Sequence, residues 1–358
     1  MILVIAEKPS VAQSIAKVLG ATSRKDGYME GGNYIVSWCF GHLVELADAS
    51  SYDERYAKWR YDDLPIVPES WMFEVTKDKA QQFKVLSSLM KDKRVTELVC
   101  ATDAGREGEL IFRLVYDKAG CTKPFKRLWI SSLEDSAIRE GFRHLRDGKD
   151  YDRLYEAALS RSKADWIVGI NGTRLFTTLY HKKLVVGRVQ TPTLAMLVER
   201  DGKISTFQKE KYFNVHVGKG DLTADLEKVK TEEEAKRIAA ACEKKQAVVS
   251  SLKRETKTVN PPKLYDLTTL QREANRYYGF TAQQTLDLVQ TLYEKKLLTY
   301  PRTDSQFITD DMEDTARQVI SIVCRQLPLF TDVSITPDIA RVTDNSKEIG
   351  RASCRERV

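Results

Sequence analysis

What the sequence lacks narrows its class first. Six cysteines are scattered over 358 residues, at 39, 100, 121, 242, 324 and 354, and no two are spaced as Cys-x-x-Cys. That pattern argues against structural zinc and against a disulfide framework, so a reducing cytoplasm is the expected compartment. The four histidines are equally dispersed and read as surface or packing residues rather than metal ligands. No apolar run reaches the roughly 18 residues of a membrane span. The apolar start MILVIA gives way at once to Glu7 and Lys8, which is unlike a signal peptide. No nucleotide-binding motif, internal repeat or low-complexity tract is present. The charge bias is modest: 57 Lys and Arg against 51 Asp and Glu permit a polyanionic partner without requiring one.

What is present over residues 1–150 is an alternation of strands and helices. ILVIAE reads as a buried strand, KPS as a turn, and Ser10 as the cap of a helix starting at Val11. NYIVSWCF, WMFEVT, ELVCATD and RLWIS are further strands. KAQQFKVLSSLM, GELIFRLVYDKA and the stretch from about Glu134 to Leu145 have helical spacing. Such alternation predicts an α/β domain with a parallel-type sheet. From Tyr151 to about Lys203 the pattern is helical, broken at HKKLVVGRVQTP. YFNVHV and LTADL read as strands, residues 231–245 as a charged helix, and VVSSLKRETKTV as a long strand running into the linker NPP. Thr281 and Gln284 form a capping-box pattern that opens a helix to about Lys296, with Tyr300 just beyond its end.

Two groups of residues carry chemistry. Glu7 ends the first strand, while Asp103 and Glu107 lie four apart where a later strand turns into a helix. Ligands bind at the carboxyl ends of strands in open α/β sheets. If the two strands are neighbours, Glu7, Asp103 and Glu107 converge, and three oxygen ligands with room for water suit Mg²⁺. Acids at such positions also cap helices and form surface ion pairs; two motifs at strand ends of one domain favour the cation site.

The second group is basic. Residues 151–210 hold ten Lys or Arg against six Asp or Glu. Arg161, Lys163, Trp166, Asn171 and Arg174 lie in one helical stretch, and Arg188, Gln190 and Thr191 stand near a helix start. Cations hold a nucleic-acid backbone, helix N-termini favour phosphate, and an indole stacks on an unpaired base. A solvated helical face, with Trp166 in a core, is the competing reading of the same residues.

Five stretches, VIAEKPSVAQSIAKVLG, ATDAGREGELIFR, SRSKADWIVGINGTR, VGRVQTPTLAMLVERD and LTYPRTDS, together resemble the type IA DNA topoisomerases, near their bacterial topoisomerase III branch. They fall in that family's order and extend the resemblance over residues 1 to about 347. The resemblance implies a multidomain chain of α/β and α+β character. Its parts are a Toprim α/β domain at 1–150, a helical single-stranded DNA-binding domain at 151–210, a β arch segment at 211–262 and a helical tyrosine-bearing domain at 263–346.

The resemblance also implies ATP-independent cleavage of single-stranded DNA through a 5′-phosphotyrosine on Tyr300, strand passage and religation, relaxing negative supercoils or decatenating. Arg302 and Lys8 would steady the scissile phosphate, Glu7 would relay a proton, and Mg²⁺ would sit on Glu7, Asp103 and Glu107. The expected partner is single-stranded or negatively supercoiled DNA, met by a monomer in a bacterial cytoplasm. A phenol with an ordinary pKa of about 10 needs such help at neutral pH.

Two departures from the family pattern stand out. Gly105 occupies a position where the family often has a second aspartate. The last residues, 347–358, ending EIGRASCRERV, read as a non-native tail where the family continues into a histidine-containing stretch and a returning arch. The expectation is therefore a fragment with little or no relaxation activity. Another Toprim nuclease or primase, and a non-catalytic strand-binding fragment, remain the rival readings.

Overall fold

The computed structural model describes residues 1–130, 133, 135–246, 248–295, 297–303, 305–308, 312–326 and 337–344. The expected tail at 347–358, Cys354, and the predicted helix boundaries at Glu134 and Lys296 lie outside them. The chain forms two compact units: Met1–Gly187 together with the chain from Pro262, and Arg188–Pro261. Among the described residues no helix is long and apolar enough to cross a membrane.

The first unit is built on a sheet with strand order β2-β3-β4-β1-β7-β8-β9 among the described residues. Its centre is β1 (Ile2–Ala6), parallel to both β4 (Tyr34–Trp38) and β7 (Glu97–Ala101). Then β8 (Phe125–Arg127) continues in parallel beside β7. Antiparallel strands β2 (Ser23–Lys25), β3 (Tyr28–Gly31) and β9 (Arg146–Asp147) extend the two sides. A separate ladder pairs β5 (Val44–Leu46) with β6 (Phe73–Val75).

Successive side chains of a strand point to opposite faces, and here both faces are buried. Leu3 and Ile5 of β1 meet a core completed by α3 (Ala80–Lys91) and α4 (Arg106–Lys118). Val4 and Ala6 face the other side, against α1 (Pro9–Leu19) and α5 (Asp135–Arg143). Tyr293 belongs to this second core and Tyr300 packs against it. The tyrosine-bearing segment is thereby pinned to the α1 side of the sheet.

The four-residue helix α2 (Ala49–Tyr52) lies in the connection between β5 and β6. The 29-residue helix α6 (Asp152–Tyr180) follows β9. In the second unit, α7 (Gln190–Ser205) precedes the hairpin of β10 (Phe213–Lys219) and β11 (Leu222–Val229), then α8 (Glu232–Cys242). The chain returns to the first unit for α9 (Leu267–Tyr278), α10 (Ala282–Glu294) and α11 (Glu313–Gln326). Both halves of the Thr281–Gln284 capping box form at the start of α10.

Three local expectations are corrected. Helix α1 begins at Pro9 rather than Val11, and Ser10 is inside it. Proline's fixed φ suits the first helical position, so the helix starts there without a side-chain cap. The strand expected at RLWIS is displaced to Phe125–Arg127, where pairing with β7 is available. The long strand expected over VVSSLKRETKTV does not form among the described residues. Its β-branched residues match strand propensity, but Val248 and Val259 stand 81% and 91% exposed, with no neighbouring strand to complete a ladder.

Candidate cleavage site

The site is assembled at the carboxyl ends of β1 and β7. Ala6 pairs with Ala101, so the residues that follow each strand emerge side by side. The Asp103 backbone N–H donates to Glu7 Oε2 at 3.2 Å. Burial, then the nearby Asp103 carboxylate, pushes the Glu7 carboxyl up from 4.5 to about 7.

Tyr300 completes the group: its hydroxyl is hydrogen-bonded to the Asp103 side chain. Burial, then the Asp103 and Glu7 carboxylates, pushes the phenol far above its usual value; Arg302 pulls it back in part. The ring stacks edge-on against Tyr293, with centroids 5.5 Å apart. A cavity of about 20 Å³ lies beside Asp103, Tyr293 and Tyr300, walled by Val11, Ile15 and Ala101. It has room for about one water. Lys8 Nζ is 3.9 Å from Glu294 Oε1 at the end of α10, and its charge favours the Glu7 carboxylate.

The turn between Asp103 and α4 is held tightly. Thr102 Oγ1 donates to the Gly108 carbonyl at 2.8 Å. A Cβ at Gly108 would sit 2.1 Å from the Asp103 carbonyl oxygen, so only glycine fits there. Gly105 is different. Its backbone is extended and a Cβ there would meet nothing within 4 Å. The absence of a second aspartate is therefore not enforced by space.

Sequence reasoning missed the group that holds this turn from below. Arg127 and Glu109 are both fully buried, paired Nε to Oε2 at 3.0 Å. Arg127 Nη1 donates to the carbonyls of Cys100 at 2.9 Å and Thr102 at 2.8 Å, and Nη2 to that of Asp103 at 2.7 Å. Arg113 grips the other Glu109 oxygen at 2.9 Å and reaches Asp152 of α6 at 2.7 Å. One guanidinium thus fixes the backbone on which the Tyr300 partner stands.

The predicted metal triad does not close. Among the described residues no three acid, histidine or cysteine side chains are grouped to hold a metal ion. Glu7 and Asp103 meet, but Glu107, 61% exposed, is drawn to His42 Nε2 at 3.7 Å and Arg106 Nε at 4.0 Å. His42 follows β4, the other parallel neighbour of β1; that position was the signal that could have found it. The donor set still fits a hard divalent cation. Two crowded carboxylates, one with its proton held to about 7, form a pair that positive charge would relieve.

Of the expected DNA-binding residues, three on α6 are engaged by the protein itself. Trp166 Nε1 donates to the Ala47 carbonyl at 2.9 Å, with its ring edge-on to Tyr52 and Trp71. The Asn171 amide bonds both the N–H and the carbonyl of Ile66, at 2.6 and 2.8 Å. Arg174 is buried, donating to the Tyr56 carbonyl at 2.7 Å, with the Trp59 ring 5.3 Å away. These side chains clamp residues 47–66 onto α6. Lys163 sits 5.5 Å over the Trp71 ring, and Arg161 is close enough to favour the Glu107 carboxylate. Arg188, Gln190 and Thr191 lie in the second unit, exposed at the start of α7.

Two family descriptions match the chain: a Toprim domain over residues 2–133 and a DNA topoisomerase over residues 149–348. With the tyrosine set against the strand-end acids, the chain belongs to the type IA DNA topoisomerase family. Its relatives include proteins named DNA topoisomerase 3. That of Bacillus licheniformis is 46% identical over 323 residues, and that of Staphylococcus haemolyticus 47% over 320. Each alignment covers 88% of this chain but only 44% and 45% of those proteins, so the chain spans less than half their length. The full-length topoisomerase I of Thermotoga maritima shares the fold, with a TM-score of 0.64 and 24% identity over 97% of this chain and 58% of that one.

The raised Glu7 carboxyl makes a stability prediction. In the unfolded chain Glu7 titrates near 4.5 and in the fold near 7. The folded state therefore binds this proton more tightly. The corresponding stability is full below about pH 4.5 and is lost as pH rises through about 7. Glu7→Gln should stabilise the fold at pH 8 by up to about 3 kcal/mol and leave it little changed at pH 4. Urea unfolding in metal-free buffer at the two pH values reads this; an equal or lower midpoint for the variant at pH 8 would contradict it.

Proposed function

We propose that this chain carries the cleavage centre of an ATP-independent type IA DNA topoisomerase. The observation that supports it most is the Tyr300 hydroxyl bonded to Asp103, next to Glu7, at the strand ends of a Toprim domain. In the proposed step the Tyr300 oxygen attacks a phosphodiester in single-stranded DNA. The bond from phosphorus to the 3′ oxygen breaks, leaving a 5′-phosphotyrosine. Asp103 receives the phenol proton through the existing hydrogen bond. Glu7, titrating near neutrality, gives a proton to the departing 3′ oxygen. Arg302 steadies the phosphate and Lys8 keeps a positive charge beside it. Pro301 stiffens the turn that sets Tyr300 against Arg302. Religation reverses each transfer, so the phosphoester link conserves the bond energy and no nucleotide is consumed.

Asp103, with Glu7 in its deprotonated form, would hold Mg²⁺, which when bound supplies positive charge next to the phosphate. In the first unit Arg161 and Lys163 of α6 would meet the strand, on a helix shaped by the clamped Trp166, Asn171 and Arg174; in the second unit Arg188, Gln190 and Thr191 would supply contacts of their own. We assign residues 1–150 to the Toprim domain, 151–210 to strand binding, 211–262 to an arch and 263–346 to the tyrosine-bearing domain. The setting is a bacterial cytoplasm, the partner single-stranded or negatively supercoiled DNA, and the chain acts as a monomer.

The polarity of the step is its test. Single-stranded DNA labelled at the 3′ end is incubated with the chain and Mg²⁺, then denatured. Label should remain on the protein, whereas 5′-end label should leave on a free fragment. The opposite polarity would mean a 3′-phosphotyrosine and overturn the proposed step, and cutting with no label on protein would replace this reading with a nuclease.

A further inference from the structure

We propose that the corner joining α9 to α10 is a second contact surface for single-stranded nucleic acid, a platform on which bases of the strand held at Tyr300 stack. The inference rests on the cleavage reading above and extends it to residues outside that site.

Three aromatic rings crowd this corner without entering a core: Tyr277 and Tyr278 are 64% and 75% exposed, and Phe280 is exposed beside them. Tyr265, just before α9, is exposed as well. The rings of Tyr277 and Tyr278 lie 6.4 Å apart, and those of Tyr278 and Phe280 6.0 Å apart. The Tyr265 phenol is pushed up by its hydrogen bond to Glu273, with Tyr277 and Tyr278 near enough to add to the effect. No residue of α9 is fully buried, so these rings are not the inner face of a packed helix.

The charges at the corner favour a polyanion. The Arg276 guanidinium carbon is 5.5 Å from the centre of the Tyr277 ring, and Arg272 is exposed one turn earlier. The carboxylates nearby are engaged: Glu273 accepts from Tyr265, and Asp266 caps α9 and accepts from Gln306. Aromatic faces interleaved with arginines are what unpaired bases and their phosphates require. Tyrosine and arginine also mark protein interfaces; here the arginines beside the rings, with the nearby carboxylates engaged, favour a polyanion.

The platform is held in place before any ligand arrives. Gly279 takes a φ of +70°, open to glycine at no steric cost, and its N–H donates to the Asn275 carbonyl at 2.9 Å. The Asn275 amide donates to the Phe280 carbonyl at 3.0 Å, and Gln271 to that of Ala282 at 2.9 Å. Rings mounted on so fixed a turn lose little freedom on binding. The other end of α9 is tied to the tyrosine loop: the Leu267 N–H donates to the Thr303 carbonyl at 3.0 Å. Twelve helical residues at about 1.5 Å each put the platform about 18 Å along α9 from that loop, the reach of a few nucleotides.

The test uses the whole chain and a fluorescein-labelled oligo(dT) long enough to span both places, read by anisotropy. Tyr277→Ala with Tyr278→Ala should weaken binding about tenfold or more. Tyr278→Trp in place of Tyr278→Ala should restore it, and Tyr278→Leu should not. Arg276→Gln should lower the salt dependence by about one phosphate contact. Circular dichroism should show all variants folded, since no core residue changes. Unchanged affinity in the folded double alanine variant would overturn the inference. So would a change in sedimentation with affinity intact, which would make the corner a face between copies of the chain. Label transfer to protein keeps the two readings separate. Transfer with unchanged affinity sinks the platform alone; lost affinity in a chain that never transfers label supports the platform and sinks the nucleophile.

Discussion

Tyr300→Phe is expected to abolish strand cleavage, a loss on the order of a millionfold, as when a covalent nucleophile is removed. The substitution deletes one oxygen and keeps the ring against Tyr293. Binding of single strands should survive within about threefold, because it depends on cations and stacking elsewhere. The deleted hydroxyl is buried and bonded to Asp103, so the fold should also lose about 1–2 kcal/mol. End-labelled oligonucleotide cleavage and anisotropy on the same preparation separate the two effects. Cleavage that persists in the phenylalanine variant would move the nucleophile elsewhere.

Arg127→Ala is expected to cost about 3–5 kcal/mol, the usual result of removing one member of a buried ion pair. Among charged partners in the described residues Glu109 would keep Arg113 alone, and the carbonyls of Thr102 and Asp103 would lose the guanidinium donor, while that of Cys100 would keep the Leu128 N–H. The Asp103 turn would then lose its anchor. Urea unfolding gives the first quantity, and hydrogen exchange at residues 101–108 gives the second. Arg127→Lys should recover only part of the loss, because one ammonium cannot reach the same spread of acceptors. A midpoint within about 0.5 kcal/mol of the parent would show that the network does not hold the turn.

The strand-end acids were legible in the sequence because parallel neighbours deliver their following residues to one edge. ILVIAE and ELVCATD announce themselves as buried strands, and Glu7 and Asp103 come with them. The Thr281–Gln284 box was legible because capping depends on residues three apart. Arg127 was not. A charged residue just before an apolar run reads as a strand's wet end, and only Glu109, approaching from α4, makes its burial possible. Trp166, Asn171 and Arg174 look solvent-facing on a basic helix until residues 47–66 close over them. The bonds that do so join residues more than a hundred positions apart. Glu107 shows the same limit: helical spacing places it near Asp103, but the His42 side chain decides where its carboxylate points.

The most direct test of the central claim is to find the atom that becomes linked to DNA. The chain is incubated with single-stranded oligonucleotide and Mg²⁺, quenched in denaturant, digested with protease and nuclease, and analysed by mass spectrometry. The account predicts a 5′-nucleotide remnant on the peptide containing LTYPR, carried by Tyr300. A remnant on any other residue, or cut strands with unmodified Tyr300, would contradict it.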